Sequence, residues 1–170
     1  MSLGYNPKLM FRKATSVKRW PLLFRDPIPT LSRGCLVLVG DAAHPMLPRK
    51  YLLFPDDSNN PDQAQAGAQA LEDAAALGEV FAGLQNPSVE EIRKRLEVFD
   101  KIRLRRASAM QILSDDGQDR VCYLRERAKK YMPDGVEVPS KPQEFFEHHW
   151  KYDIFAESQA CLKAFLGDST

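Results

Sequence analysis

The run CLVLVG, Cys35 to Gly40, is continuously apolar and stops on a glycine followed by an aspartate, Asp41. A run with no polar side reads as a strand covered on both faces, with hydrogen-bonded neighbours along both edges. That demand constrains the chain more than any other feature. One further stretch reads as a strand, SVKRWPLLFRDPIP at 16–29. It is ended by Pro27 and Pro29, which lack the N–H that a ladder needs. The TLSRG between the two strands is a turn. Two strands do not make a free-standing sheet. The expectation is an α/β remnant, a piece of a larger α/β domain with a few strands at the front.

The remainder reads as helix. Pro45, Pro48, Pro55 and Pro61, with DDSNN among them, make 45–62 a loop. From about Gln63 the alanine-rich QAQAGAQALEDAAALGEVFAGL is helical by propensity and by its Ala/Leu pattern, and QNPS breaks it. Ser88 followed by Glu91 fits a capping box that opens the next helix. Val89, Ile92, Leu96 and Phe99 then recur at steps of three and four as one buried stripe. Continued, that count reaches Arg103 and Arg106, then Met110 and Leu113. The two arginines need carboxylate or carbonyl partners, or else the stripe drifts onto Ile102 and Ala109 and the arginines snorkel; drift is the favoured reading. SDDGQD interrupts, a helix covers about 118–131, and MPDGVEVPSKP is a turn region. QEFFEHHWKYDIFAESQACLKAFL closes as a mixed aromatic helix or helix pair. One domain is expected over 1–170. Its parts are strands and turn at 16–48, an inserted loop at 49–62, helices at 63–135 and a C-terminal helical tail at 136–170.

Composition narrows the function classes. With 24 Lys and Arg against 23 Asp and Glu, the net charge of +1 supplies no bulk field toward nucleic acid or an anionic membrane. The basic clusters at 93–95, 103–106 and 125–130 read as solvated helix faces. Cys35, Cys122 and Cys161 are odd in number and widely spaced, with neither a disulfide framework nor metal-ligand spacing. No apolar segment follows Met1 and no run approaches membrane-spanning length. The expectation is a cytoplasmic protein without a metal.

At the strand end, Asp41 and His44 stand three residues apart in the GDAAH turn. The two could act as an acid–base pair. Asp41 could instead cap the following helix, and His44 could be structural. Glu72 and Asp73 read as ties between helix and sheet. His148 and His149, with Tyr152 and Asp153, could form a second polar cluster, although the histidine pair reads more readily as surface or interface.

The block RGCLVLVGDAAHPMLP at 33–48, preceded by W-P-L-x-x-R-D-P-I-P-T-L-S and followed by ALEDAAALG, resembles the C-terminal part of a known family. This family is the group A FAD-dependent flavoprotein monooxygenases, the aromatic hydroxylases similar to salicylate and para-hydroxybenzoate hydroxylase. The resemblance spans 18 to about 115. It extends weakly to HHWKYD at 148–153. It implies strands from the FAD-domain sheet followed by a mostly helical C-terminal part, with FAD as cofactor. It also implies a ring hydroxylation driven by NAD(P)H. In the family's pattern Asp41 accepts a hydrogen bond from a ribityl hydroxyl of FAD and Gly40 lets the backbone come close. Pro48 lies by the isoalloxazine. Gln65 and Gly67 open the helix that faces the flavin.

The chain also departs from that pattern. No strand–GxGxxG–helix unit, which would hold a pyrophosphate on backbone amides, occurs in it, nor does the family's middle Asp-Gly motif. RKYLLFPDDSNNPD intervenes between Pro48 and Gln65, as an evolved loop or as an unspliced intron read into the chain. The family's Gln-Gly becomes Gln65-Ala66, with Gly67 one place late. Three readings follow. The first is a truncated monooxygenase homologue that does not bind FAD by the family's mechanism alone, with self-association into a homodimer expected. The second is a non-redox dehydratase, isomerase or cyclase using Asp41 and His44. The third is a subunit that completes a complementary N-terminal FAD-domain chain, acting on a small aromatic substrate.

Overall fold

A computed structural model describes residues 15, 16, 18, 21, 23–46, 65–114, 121–140 and 142–167. Pro48 and the inserted loop at 49–62 lie outside the described residues.

The apolar run forms far less strand than its composition suggests. Strand β1 (Ser32–Arg33) pairs antiparallel with β2 (Leu36–Val37), Ser32 opposite Val37 and Arg33 opposite Leu36. Gly34, at φ +64°, opens the two-residue turn, a conformation that favours glycine. The Leu38 N–H donates to the Leu31 carbonyl at 2.8 Å and extends the ladder by one step. The expected strand at 16–29 is absent among its described residues, and the stretch read as a turn supplies β1 instead. Nor is the run covered on both faces by described residues. Val37 and Leu38 pack into the core, while Leu36 and Val39 are 66% and 41% exposed. The two packed residues are neighbours and not alternates, because the strand ends at Val37 and the chain turns toward Gly40 just beyond it.

The rest is helical, as the composition implies. Helix α1 (Gln65–Phe81) is followed by the long α2 (Val89–Ser114), then α3 (Val121–Lys129), α4 (Pro142–Trp150) and α5 (Ile154–Gly167). The C-terminal aromatic stretch is thus a helix pair. Asp153 breaks it, and its Oδ1 accepts from the Phe155 and Ala156 N–H groups at 3.0 Å as the N-cap of α5. Helices α1, α2 and α5 pack on one another, α3 packs on α2, β1 of the hairpin sits against α2, and the Gly40–Ala42 turn sits against α1. The main core gathers Leu31, Val80, Val98, Phe99, Ile102 and Ile154, and a second joins Ile112 and Leu113 of α2 to Leu124 and Ala128 of α3. Because α2 runs between both cores, every residue from Arg106 to Ser114 is buried.

Helix α1 buries an unexpected face. Gln65, Gln69, Asp73, Ala76 and Val80 point inward at steps of three and four, while Leu71 is 74% exposed. The buried stripe is polar over its first two turns and apolar only afterwards. The start of α2 also departs from the expected stripe, since Val89 is exposed and Ile92 half-buried, and full burial begins at Leu96.

The capping box at α2 is formed. The Ser88 N–H donates to Glu91 Oε2 at 2.8 Å, and the Glu91 N–H donates to Ser88 Oγ at 3.2 Å. The hydrogen bond from the Ser88 N–H is the chief cause holding the Glu91 carboxyl below its ordinary value. Ser88→Ala removes one half of this reciprocal pair. It is expected to lower stability by about 1 kcal/mol, read as a shift in the urea midpoint with an unchanged slope.

Candidate functional site

The turn Gly40–Ala42 is a single 3-10 turn that leaves the sheet where β2 ends. Gly40 has φ +56°, which any side chain would strain; the space itself is open enough, since a Cβ there would meet only the Ala70 Cβ at 3.6 Å. The backbone therefore needs glycine at 40 for its conformation. Asp41 lies inside the turn and is exposed. Val39, not Asp41, occupies the cap position, without a side-chain cap bond. Arg25 clamps the far end of the turn, its Nη2 donating to the carbonyls of Ala42 at 2.9 Å and Ala43 at 2.7 Å.

Beneath the turn lies Asp73, 1% exposed. One of its oxygens, Oδ2, accepts from the Gly40 N–H at 2.8 Å and faces His44 Nε2 at 2.7 Å. The other, Oδ1, accepts from Arg103 Nε at 2.8 Å. Burial pulls the Asp73 carboxyl upward, but His44, the Arg103 charge and the Gly40 N–H outweigh it, and the group titrates below its ordinary value. The tie between helix and sheet read into Asp73 is therefore present in the structure.

The expectation for the arginines is overturned. Neither snorkels: Arg103 is 0% and Arg106 8% exposed, and Ile102 and Ala109 are buried beside them. Arg103 Nη2 donates to the Gln69 carbonyl at 3.1 Å and to Gln69 Oε1 at 2.8 Å, and Nη1 donates to Glu72. Arg106 takes the same Glu72, with Nη2 to Oε1 at 3.0 Å and Nε to Oε2 at 3.3 Å. It also donates to the carbonyls of His148 at 2.6 Å and His149 at 3.1 Å, and its guanidinium lies 4.4 Å over the Tyr152 ring. A continuous chain of charge and hydrogen bonds thus runs from His44 through Asp73, Arg103, Glu72 and Arg106 to the α4–α5 corner.

The histidine pair is likewise not the surface feature that the sequence suggests. His149 is 5% exposed and His148 half-buried. Burial first and the Arg106 charge second bring the His148 pKa down to about 4. Burial, then Glu157, pushes Tyr152 up to about 12. Both side chains are uncharged near neutrality.

His44 receives a carboxylate partner, but that partner is Asp73 and not Asp41. Its Nδ1 is buried with no hydrogen-bond partner. Gln65, 3% exposed, has neither amide oxygen nor amide nitrogen bonded. Gly67 is exposed, and a Cβ there would meet nothing within 4 Å. The sequence reading named His44 and Gln65 but assigned no functional role to Asp73, Arg103, Glu72 or Gln69. The signal that could have found them was the polar spacing 65, 69, 73 along α1 set against two arginines in line with an apolar stripe.

Matches with known proteins cover nearly the whole chain. It is 36% identical over 95% of its length to the FAD-dependent monooxygenase cfoG of Aspergillus candidus. It is 40% identical over 89% to the FAD-dependent monooxygenase phomE of Diaporthe leptostromiformis. To the 6-hydroxynicotinate 3-monooxygenase of Bordetella bronchiseptica it is 35% identical over 82%. The chain is a homologue of the FAD-dependent monooxygenases. It spans about a third of the length of the relatives it matches, 34%, 36% and 32% respectively. No family model and no solved structure matches. The GDAAH block carries the resemblance read from the sequence. Here that block is the turn held by Asp73 and Arg25. No helix among the described residues is long and apolar enough to cross a membrane.

Two expectations follow. Arg103→Met leaves the buried Asp73 carboxylate without its cation and Glu72 with Arg106 alone, and is expected to cost about 3–5 kcal/mol in urea unfolding. The second concerns acid. His148 titrates near 4 when folded and 6.5 otherwise, so its contribution is intact above pH 6.5 and lost as pH falls toward 4. Asp73, with its lowered pKa, adds a further loss below its ordinary 3.8. Unfolding midpoints measured from pH 8 to 4 should begin to fall near pH 6.5, and His148→Phe should flatten the branch above pH 4.

Proposed function

We propose that this chain supplies the flavin-side turn of an FAD-dependent aromatic-ring monooxygenase, and that these residues do not hold FAD by themselves. The observation that carries the reading is the turn itself. A glycine at positive φ and an exposed, unencumbered Asp41 stand at a strand end, fixed from below by a buried carboxylate. A carboxylate held there can accept from a polyol hydroxyl, and Gly40 leaves the backbone open to a close approach. The amide of Gln65 and Nδ1 of His44 are both buried and unbonded, and each would gain from a polar ligand, because buried polar atoms left unbonded cost about 1–3 kcal/mol each.

Under this reading Asp41 binds the ribityl chain, and Gln65 at the start of α1 offers its amide and the helix N-terminus to the flavin edge. Gly67 borders the ring, and Pro48, outside the described residues, is assigned to it by the resemblance alone. Asp73 and Arg103 keep the turn from moving. When bound, FAD supplies the electron and oxygen transfer that the resemblance implies, on a small aromatic substrate.

The second half of the proposal rests on what the 170 residues lack. They include no GxGxxG unit to take a pyrophosphate, so the greater part of FAD binding energy has no donor set here. Leu36 in β2 and Val39 just beyond it are exposed, and they fit a further layer packed against them. That layer belongs to a complementary dinucleotide-binding part or to a second copy of the chain. A non-redox acid–base pair of Asp41 and His44 has less geometric support, because His44 is committed to Asp73 and Asp41 is exposed.

The test is a visible spectrum after FAD addition and gel filtration, first on the chain alone. It is then repeated after co-expression with the dinucleotide-binding part of the Aspergillus candidus relative. The expected result is a colourless chain and a flavin-bearing complex, with retention lost in Asp41→Ala. A flavin band retained by the chain alone would overturn the second half of the proposal. A complex indifferent to Asp41→Ala would overturn the first.

A further inference from the structure

We infer that the corner between α2, the 131–136 turn and the α4–α5 link is a second ligand site, which takes a small neutral molecule with an apolar ring body and one hydroxyl group. The cavity there has a volume of about 430 Å³, within the range of small-molecule sites. Ile102 and Ala109 of α2, Tyr131 and Val136 of the turn, and Tyr152 supply apolar and aromatic walls. His148 lines it from α4. None of these belongs to the Gly40–His44 turn or to Gln65, so the site is separate from the one proposed for the flavin.

The polar groups of the cavity decide the ligand class. Its cations are largely engaged. Arg106 is held by Glu72 and two carbonyls, Arg105 Nη2 donates to the Met132 carbonyl, and Lys151 pairs with Glu147 at 3.2 Å. Lys101, the remaining cation of the lining, is exposed, and Glu157 adds a negative charge of its own. A ligand anion would compete with these pairs and meet the glutamates at the rim. The buried atom left over is His148 Nε2, which has no hydrogen-bond partner. Burial and Arg106 keep that ring neutral at pH 7, so it offers a single dipolar contact and no charge. A hydroxyl can donate to an imidazole nitrogen or accept from its N–H, so it satisfies either tautomer. A fused or single ring between Tyr131 and Tyr152 removes apolar surface from water at the same time.

The site also touches the network that supports the turn. Arg106 joins the His148 and His149 carbonyls to Glu72, and Glu72 meets Arg103 beneath Asp73. A molecule seated against His148 therefore shares a cavity wall with Arg106, which continues toward Gly40 through Glu72.

The experiment follows the His148 ring by nitrogen-15 and proton NMR in the whole chain at pH 7, with 2-naphthol as probe. 2-Methylnaphthalene serves as the probe without a hydroxyl, and 2-naphthoate as the anionic one. The expected result is a saturable shift of the His148 ring signals with 2-naphthol, and binding at least tenfold weaker for each of the other two. His148→Phe should weaken 2-naphthol tenfold or more. Should that variant unfold, Val136→Trp fills the cavity from its half-exposed rim and should abolish the shift in a folded chain. Failure to saturate, equal binding of the probe without a hydroxyl, or an unaltered response in Val136→Trp would each overturn the inference. Tighter binding of 2-naphthoate would overturn the ligand class. None of these outcomes bears on flavin binding at Asp41, which is read by visible absorbance.

Discussion

Asp73 is the point on which the arrangement depends. It is a carboxylate out of water, and each of its oxygens is committed: one to the Gly40 N–H and His44, the other to Arg103. Burying a charge in this way costs several kcal/mol, and the attraction to Arg103 returns it only because the remaining lone pairs are also satisfied. Net stability is a poor reason for such a pair, since an apolar core of the same volume serves as well. What the pair supplies is position. A hydrophobic contact at 73 could slide, whereas a carboxylate sharing one oxygen between a backbone N–H and an imidazole sets both the height and the rotation of the turn. Asp41 is exposed and bonded to nothing that would hold it, so its placement is inherited from this support.

The legible parts of the fold were those decided by neighbours in sequence. The capping box of Ser88 and Glu91, the break at QNPS and the alanine-rich helix, expected from about Gln63 and described over 65–81, all depend on residues within a turn of one another. The parts that were not legible depend on groups far apart. Arg103 looked like an interruption in an apolar stripe because its partners lie about thirty residues away, on a face of α1 that alanine and leucine content gave no reason to turn inward. Once Gln69, Glu72 and Asp73 face the core, the arginines have partners and no reason to reach solvent. The exposed Leu71 is the other side of the same rotation.

The strand failed for a related reason. The composition of CLVLVG predicts a segment with two covered faces, but that property belongs to the sheet around it and not to the segment. With one short partner in β1, only Val37 and Leu38 find the core, and Leu36 and Val39 remain in solvent. The same residues that made the run look like a central strand now mark the place where covering is missing. In monooxygenases about three times as long as this chain, there is ample sequence elsewhere to provide it. For the candidate site, Gly40, Asp41, His44 and Gln65 were legible from the GDAAH block and its spacing, whereas their support from Asp73 and Arg103 was visible only in three dimensions.

The geometry also bears on the substitution of alanine for the family's glycine after Gln65. Ala66 is only half-buried and Gly67 has open space around it, so within the described residues neither position is crowded by protein. A methyl at 66 therefore strains nothing in the fold; any cost it carries falls on a ligand that approaches the first turn of α1. Gln65 points the same way, because its amide is buried with no protein partner on either atom, an arrangement that costs stability unless something else fills it. An unpaired amide at 65 and a committed carboxylate at 73 are both disadvantages to a chain that only has to fold. Both suit the polar binding edge proposed above.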